Sequence, residues 1–173
     1  MSIEERPKEV GKRKEFGHWE CDLVIGAKSG QDEALLTLLE RKTREFMIVK
    51  LPDKSAKNVM TTFETLLDEY SEHFGAVFKT ITTDNGSEFA DLSNLEKAAE
   101  ILVYYAHPYT SCDKGSVERH NGLIRRFIPK GKQIDSYTAE EVFEIELWCN
   151  SLPRKILSYH NPEEIFSEEI DKI

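Results

Sequence analysis

Apolar and polar positions alternate from His18 to Ile25 (HWECDLVI), which predicts a β-strand with Trp19, Cys21, Leu23 and Ile25 on one face and Glu20, Asp22 and Val24 on the other. Two further runs, Glu33 to Leu39 and Glu45 to Leu51, are rich in β-formers and follow short polar connections, with Lys28-Ser29-Gly30 as one turn. The three read as an antiparallel meander. Pro52-Asp53-Lys54-Ser55 ends that pattern. Ser55 is a candidate N-cap for a helix running to about Phe74, with Val59, Phe63, Leu66, Leu67 and Tyr70 at helical spacing. Val77 to Thr83 and Ile101 to Tyr105 are two more strands. A capping box at Ser93–Glu96 predicts a short helix between them. Ser116 to Ile128 reads as a helix stopped by Pro129, and Thr138 to Glu141 opens another to about Ser151. Strands mixed with helices in this order suggest a single α/β domain with a mixed sheet.

Residues 1 to 16 carry no such periodicity and read as a linker or arm, which leaves 17–173 as the core. They hold no apolar stretch of the kind a secretory leader needs, and no run along the chain is long enough to cross a membrane. Cys21, Cys112 and Cys149 are widely spaced and lack metal-ligand spacing, so reduced thiols in a cytoplasmic protein are expected.

Charge divides the chain. Its net charge is −9, which by itself disfavours loose association with a polyanion. Thr110 to Lys132, however, holds six basic residues (Lys114, Arg119, Arg125, Arg126, Lys130, Lys132) against two acidic ones, Asp113 and Glu118. This basic stretch is either a solvated helix face or a contact for phosphate.

Three acids sit in unusual places. Asp22 lies mid-strand between Cys21 and Leu23, where an acid implies an exposed edge, a partner or a metal. Asp84 ends a strand, where ligand groups gather in α/β sheets, but Asp-Asn-Gly is also good turn chemistry. Glu118 shares a helix face with Lys114, Asn121, Gly122 and Arg125, which suits a surface ion-pair helix equally well. His120 is read as packed or solvent-facing, and Glu88 is left out. Together the three acids have the oxygen-donor chemistry that hard divalent cations take. Two such ions about 3.5–4 Å apart can activate a hydroxyl and steady the leaving oxygen of a phosphodiester.

The stretches GHWECDLVIG (17–26), LLTLLERKTRE (35–45), TTDNGSEFA (82–90), AHPYTSCDKGSVERHNGLIRRFIPKG (106–131) and NSLPRKIL…NPEEIF (150–166) resemble, in order and over nearly the whole chain, the catalytic core of DDE transposases of bacterial insertion sequences. The branch is IS-thirty, within the wider retroviral-integrase-like group, and the 33 residues between Asp84 and Glu118 match its spacing. The sequence departs from the pattern at Cys21, Cys112, Val117, Leu152 and Asn161 without removing a carboxylate. The resemblance implies an RNase H-like fold, a five-stranded mixed sheet flanked by helices. It implies two Mg²⁺ or Mn²⁺ ions held by Asp22, Asp84 and Glu118, and DNA cleavage with strand transfer during transposition, integration and recombination. It further implies contacts to DNA from Lys114, Asn121, Arg125, Arg126 and Lys130, a homodimer or higher assembly on element ends and target DNA, and no membrane partner. The family's N-terminal helix-turn-helix region is expected to be absent. A silent DNA-holding module and an RNase H-type nuclease without strand transfer are the alternatives.

Overall fold

The computed structural model describes residues 1–27, 32–107 and 115–173. In chain order its elements are α1 (Lys8–Lys12), β1 (His18–Ile25), β2 (Ala34–Glu40), β3 (Phe46–Leu51), α2 (Ala56–Tyr70), α3 (Phe74–Val77), β4 (Thr80–Thr83), α4 (Ser93–Ala99), β5 (Leu102–Tyr105), α5 (Gly115–Ile124), α6 (Ala139–Ser151) and α7 (Pro162–Ile170). Short 3₁₀ turns lie between several of them. The strands form one sheet in the order β3-β2-β1-β4-β5, with β1–β2 and β2–β3 antiparallel and β1–β4 and β4–β5 parallel. The meander and the helical crossovers expected from the apolar pattern are both present.

Strand alternation builds two cores. Trp19, Cys21, Leu36 and Leu38 face Val59, Phe63 and Leu66 of α2, together with Phe74, Val77 and Leu95. Val24, Leu35, Leu39, Phe46 and Ile48 face Val117 and Ile124 of α5 and Val142 and Ile145 of α6. Every residue of β2 is buried, as a strand covered on both faces must be. Trp19 anchors the first core: its ring stacks on Phe78 at 4.7 Å, and its Nε1–H donates to the carbonyl of Val77 at 2.7 Å.

That anchor explains a boundary. The run from Val77 was expected to start a strand, and the helix before it to reach Phe74. Instead α2 stops at Tyr70, Ser71 takes a left-handed φ of 49°, and a second short helix carries Phe74 and Val77 under Trp19. Strand geometry begins only at Thr80. A short apolar run fits helix and strand alike, and packing decides. The capping box at Thr138 forms with both of its hydrogen bonds. The one expected at Ser93 does not: α4 is capped at Leu92, and the Glu96 carboxylate accepts from the Val103 amide of β5 at 2.9 Å. Helix α7, which the apolar pattern did not single out, opens on a capping box at Asn161 with Pro162 as its first residue.

The first 16 residues dock on the body. Met1 donates its terminal ammonium to the Val103 carbonyl at 2.9 Å, Arg6 reaches Thr82 Oγ1 at 3.1 Å, and Ile3, Val10 and Phe16 are buried. Their apolar side chains are too few and irregular for a periodic signal, yet enough to hold the segment down. The Lys28-Ser29-Gly30 turn, Lys114 and Cys112 lie outside the described residues.

Candidate catalytic site

β1 is the middle strand of the sheet, so Asp22 does not lie on an exposed edge. Its backbone pairs with Thr37 of β2 on one side, and Thr37 Oγ1 donates to the Asp22 carbonyl at 3.2 Å. On the other side the pairing with β4 ends at Glu20–Thr82. Asp22 lies two residues beyond Glu20, and Asp84 two residues beyond Thr82. Both acids therefore lie just past the last rung that pairs β1 with β4, Asp22 within β1 and Asp84 after the carboxyl end of β4, the side on which α/β sheets open toward ligands. Both are half-buried.

Asp84 keeps its local role as well. One carboxylate oxygen accepts the Gly86 amide at 2.9 Å, an Asx-type turn, and Asn85 Nδ2 donates to the Ala106 carbonyl at 2.8 Å, tying the turn to the end of β5. The Glu88 carboxylate lies against Gly86, 2.6 Å from where a Cβ there would sit.

Glu118 stands exposed in the first turn of α5. The placement of that helix depends on a residue that motif reasoning passed over. The buried carboxylate of Glu20 accepts the amides of Ser116 and Val117 at 3.1 and 2.8 Å and pairs with the Arg41 guanidinium. A carboxylate there answers amides that a helix start leaves without partners, and it complements the positive end of the helix. Asn121, one turn on, donates from Nδ2 to Asp22 Oδ2 at 2.8 Å. Arg125, another turn on, donates to the Ile25 carbonyl at 2.8 Å. Helix α5 is thus fastened to β1 at three levels. The available signal for Glu20 was its shared strand face with Asp22.

Of the residues expected to face DNA, Asn121 and Arg125 are engaged within the fold, Arg126 lies over the Trp148 ring at 5.8 Å, and Lys130 is exposed. His120 is packed: Nδ1–H donates to the Ser116 carbonyl at 2.8 Å, the ring lies 5.5 Å from Phe46, and burial followed by neighbouring arginines pushes its pKa down to about 4. Cys21 and Cys149 are buried, and burial pushes the Cys149 thiol up to about 11.

The carboxylate chemistry of Asp22, Asp84 and Glu118 fits a hard divalent cation. Among the described residues, however, no three His, Cys, Asp or Glu side chains are gathered closely enough to hold a metal ion. No described helix is long and apolar enough to cross a membrane.

A central β1 flanked by an antiparallel meander and two parallel strands, with one acid within β1 and another just after β4, defines the integrase-core type of RNase H-like fold. The Integrase core domain profile matches residues 12–111, and the chain belongs to that family. The matched span includes Asp22 and Asp84 and stops short of Glu118. The chain is 38% identical over 165 residues to a probable transposase for insertion-like sequence element IS1161 of Streptococcus salivarius, an alignment covering 95% of this chain and 46% of that protein. It is 32% identical over 168 residues to the transposase InsI for insertion sequence element IS30A of Escherichia coli K12, covering 97% of this chain and 42% of that one. The chain thus spans about half the length of the curated relatives it matches. In fold it is similar to the catalytic core domain of BIV integrase, with a TM-score of 0.63 at 21% identity, covering 90% of this chain and 97% of that one. The resemblance to insertion-sequence transposases is borne out.

Proposed function

We propose that the chain is the catalytic core of an insertion-sequence transposase that cleaves DNA at the 3′ ends of its element and joins those ends to target DNA. Asp22, Asp84 and Glu118 are its metal-binding and catalytic carboxylates. The observation that carries this reading is the convergence at β1: Asp22 and Asp84 follow the last rung of adjacent parallel strands, and the helix bearing Glu118 is bound to the same strand through Glu20 and Asn121.

Two Mg²⁺ or Mn²⁺ ions, when bound, would supply activation of the attacking hydroxyl and charge stabilisation of the leaving oxygen. The protein's own share is positional. Asn121 fixes the rotamer of Asp22, the Gly86 amide fixes that of Asp84, and Glu20 sets the height of α5 and hence of Glu118. Glu118, exposed in the first turn of its helix, would complete the carboxylate set that holds the metal. Lys130 and Arg126, both exposed, offer cations to the phosphate backbone. DNA is the partner, held by an assembly of more than one copy, and action in the cytoplasm follows from that substrate.

The test is a nicking and joining assay with Mn²⁺ and a labelled element-end duplex. Nicking and joining that vanish in Asp84→Asn are expected. Nicking without joining would make the protein a nuclease of RNase H type, and tight binding without any nicking would sink both enzymatic readings in favour of a holding module.

A further inference from the structure

On the side of α5 away from Asp22 lies a cavity of about 310 Å³ lined by Arg13, Arg44, Arg119, His120, Arg154 and Lys155. Among the described residues no aspartate or glutamate lines it. Five cations around one cavity repel one another unless an anion sits among them.

Arg44 is the telling member. It is 5% exposed, and among the described residues its one side-chain hydrogen bond is a long one, 3.4 Å to Ser116 Oγ. Among the described residues no carboxylate lies within ion-pair distance of it. A buried guanidinium normally has a partner, because leaving water without one is costly. Burial and then Arg13 lower its pKa to about 10, so it remains charged at neutral pH. The fold nevertheless holds it there. Arg44 sits at a left-handed φ of 67° on the turn after β2. Buried Glu40 locks that turn by accepting the amides of Lys42 and Thr43 at 2.8 and 2.6 Å. Across the cavity, Arg154 donates from Nη2 to the Cys149 carbonyl at 2.8 Å, while its buried Nε–H has no partner among the described residues. His120 is neutral here and adds no charge. The unused donors of Arg44 and Arg154, with Arg119 and Lys155 at the exposed rim, are the equipment of an oxyanion site.

We propose that this cavity binds a phosphate group of the DNA backbone, with Arg44 as its buried anchor and Arg119 and Arg154 beside it. The assignment of DNA as ligand rests on the proposed function. Arg119 follows Glu118 directly, so a strand passing Glu118 has a phosphate receptor on the neighbouring face of the same helix. The chain's overall charge of −9 makes such a concentrated cationic site necessary for a polyanion to settle in one register.

The test uses the 173-residue chain without added divalent metal, so that binding is read apart from chemistry. Thermal unfolding is followed in inorganic phosphate and in chloride at matched ionic strength, and anisotropy follows a labelled short DNA duplex. Phosphate should raise the Tm of the wild type. Arg119→Gln and Arg154→Gln should each remove that rise and weaken duplex binding about tenfold. Each should also flatten the plot of log K against log salt by about one. Arg119 is exposed, so its variant keeps the test free of folding effects. Lys57→Gln, exposed on α2 over the opposite face of the sheet, should change neither readout. No phosphate effect in the wild type, or variants that bind duplex as the wild type does, would overturn the proposal. A phosphate effect lost in the variants with unchanged or absent duplex binding would assign the cavity to free phosphate instead of DNA. Dependence of nicking on Asp84 is scored separately, so the catalytic reading and this site can fail independently.

Discussion

Arg41 and Arg44 stand three residues apart on the turn after β2 and are 4% and 5% exposed, yet they solve burial in opposite ways. Arg41 pairs with Glu20 and donates from Nε to the Val10 carbonyl at 3.2 Å, so its charge and geometry are spent inside the fold. Through Glu20 that pair also holds the start of α5, and through Val10 it holds the docked N-terminal segment. Among the described residues Arg44 has only the Ser116 hydroxyl and a cavity of other cations. A third arrangement is found at the edge strand β3. There Glu45 and Glu146 are largely buried, and among the described residues no cation pairs with them. Burial pushes Glu146 up to about 7, and burial with nearby Glu146 pushes Glu45 up to about 8. A carboxyl can take a proton and shed its charge, whereas a guanidinium at neutral pH cannot. A buried arginine without a carboxylate therefore points outward to a ligand more strongly than a buried acid without a base.

The comparison can be broken at its strongest point first. Arg41→Ala leaves Glu20 buried and unpaired, so a loss of about 3–5 kcal/mol in unfolding free energy is expected from urea denaturation. A loss below about 1 kcal/mol would mean that the pair is not what fastens α5 and the N-terminal segment to β1.

A smaller effect is expected at the acidic edge. A carboxyl whose folded pKa lies above its unfolded value of 4.5 binds more protons in the folded state. Its contribution is therefore greatest in acid and falls as pH rises toward about 7 to 8. Unfolding free energy should drop over that window by roughly 1–2 kcal/mol per group, allowing for the solvent that still reaches them. Glu146→Gln keeps an acceptor for the Ile48 amide and should flatten the curve. A profile that rises through the same window would refute the assignment.

The smallest stability change is expected at Arg44. Arg44→Met removes an unpaired buried charge, so stability without phosphate should stay within about 1 kcal/mol of wild type or improve. The phosphate-dependent rise in Tm should disappear. A loss as large as that of Arg41→Ala would show Arg44 to be a structural ion like its neighbour and would erase the distinction drawn between them.

Much of this is legible in the amino-acid sequence. Alternation assigned Asp22 and Trp19 to opposite faces of β1, and they face opposite cores. The carboxylates stood out because an acid between Cys21 and Leu23, and another closing an apolar run, contradict local preference. What stayed hidden were long-range partners. Nothing near Glu20 announces that its carboxylate will meet the amides of Ser116 and Val117, about a hundred residues away, and nothing near Glu96 announces Val103. Arg44 reads as one more charge in RKTRE, a segment whose exposure periodicity cannot settle.

The amino-acid order alone determined the long periodic elements, the β1–β3 meander and the cores of α2 and α6, and which face each presents, because those follow from side-chain size and a period of two or of 3.6. Only the tertiary structure decided that β1 is the central strand, that α5 starts on Glu20, and that the basic segment divides between Asn121 and Arg125, bound to β1, and Arg119, open to a cationic cavity. Those outcomes depend on hydrogen bonds and charges brought together across the chain. Their energies arise only once the two cores have closed and excluded the water that would otherwise satisfy each group alone.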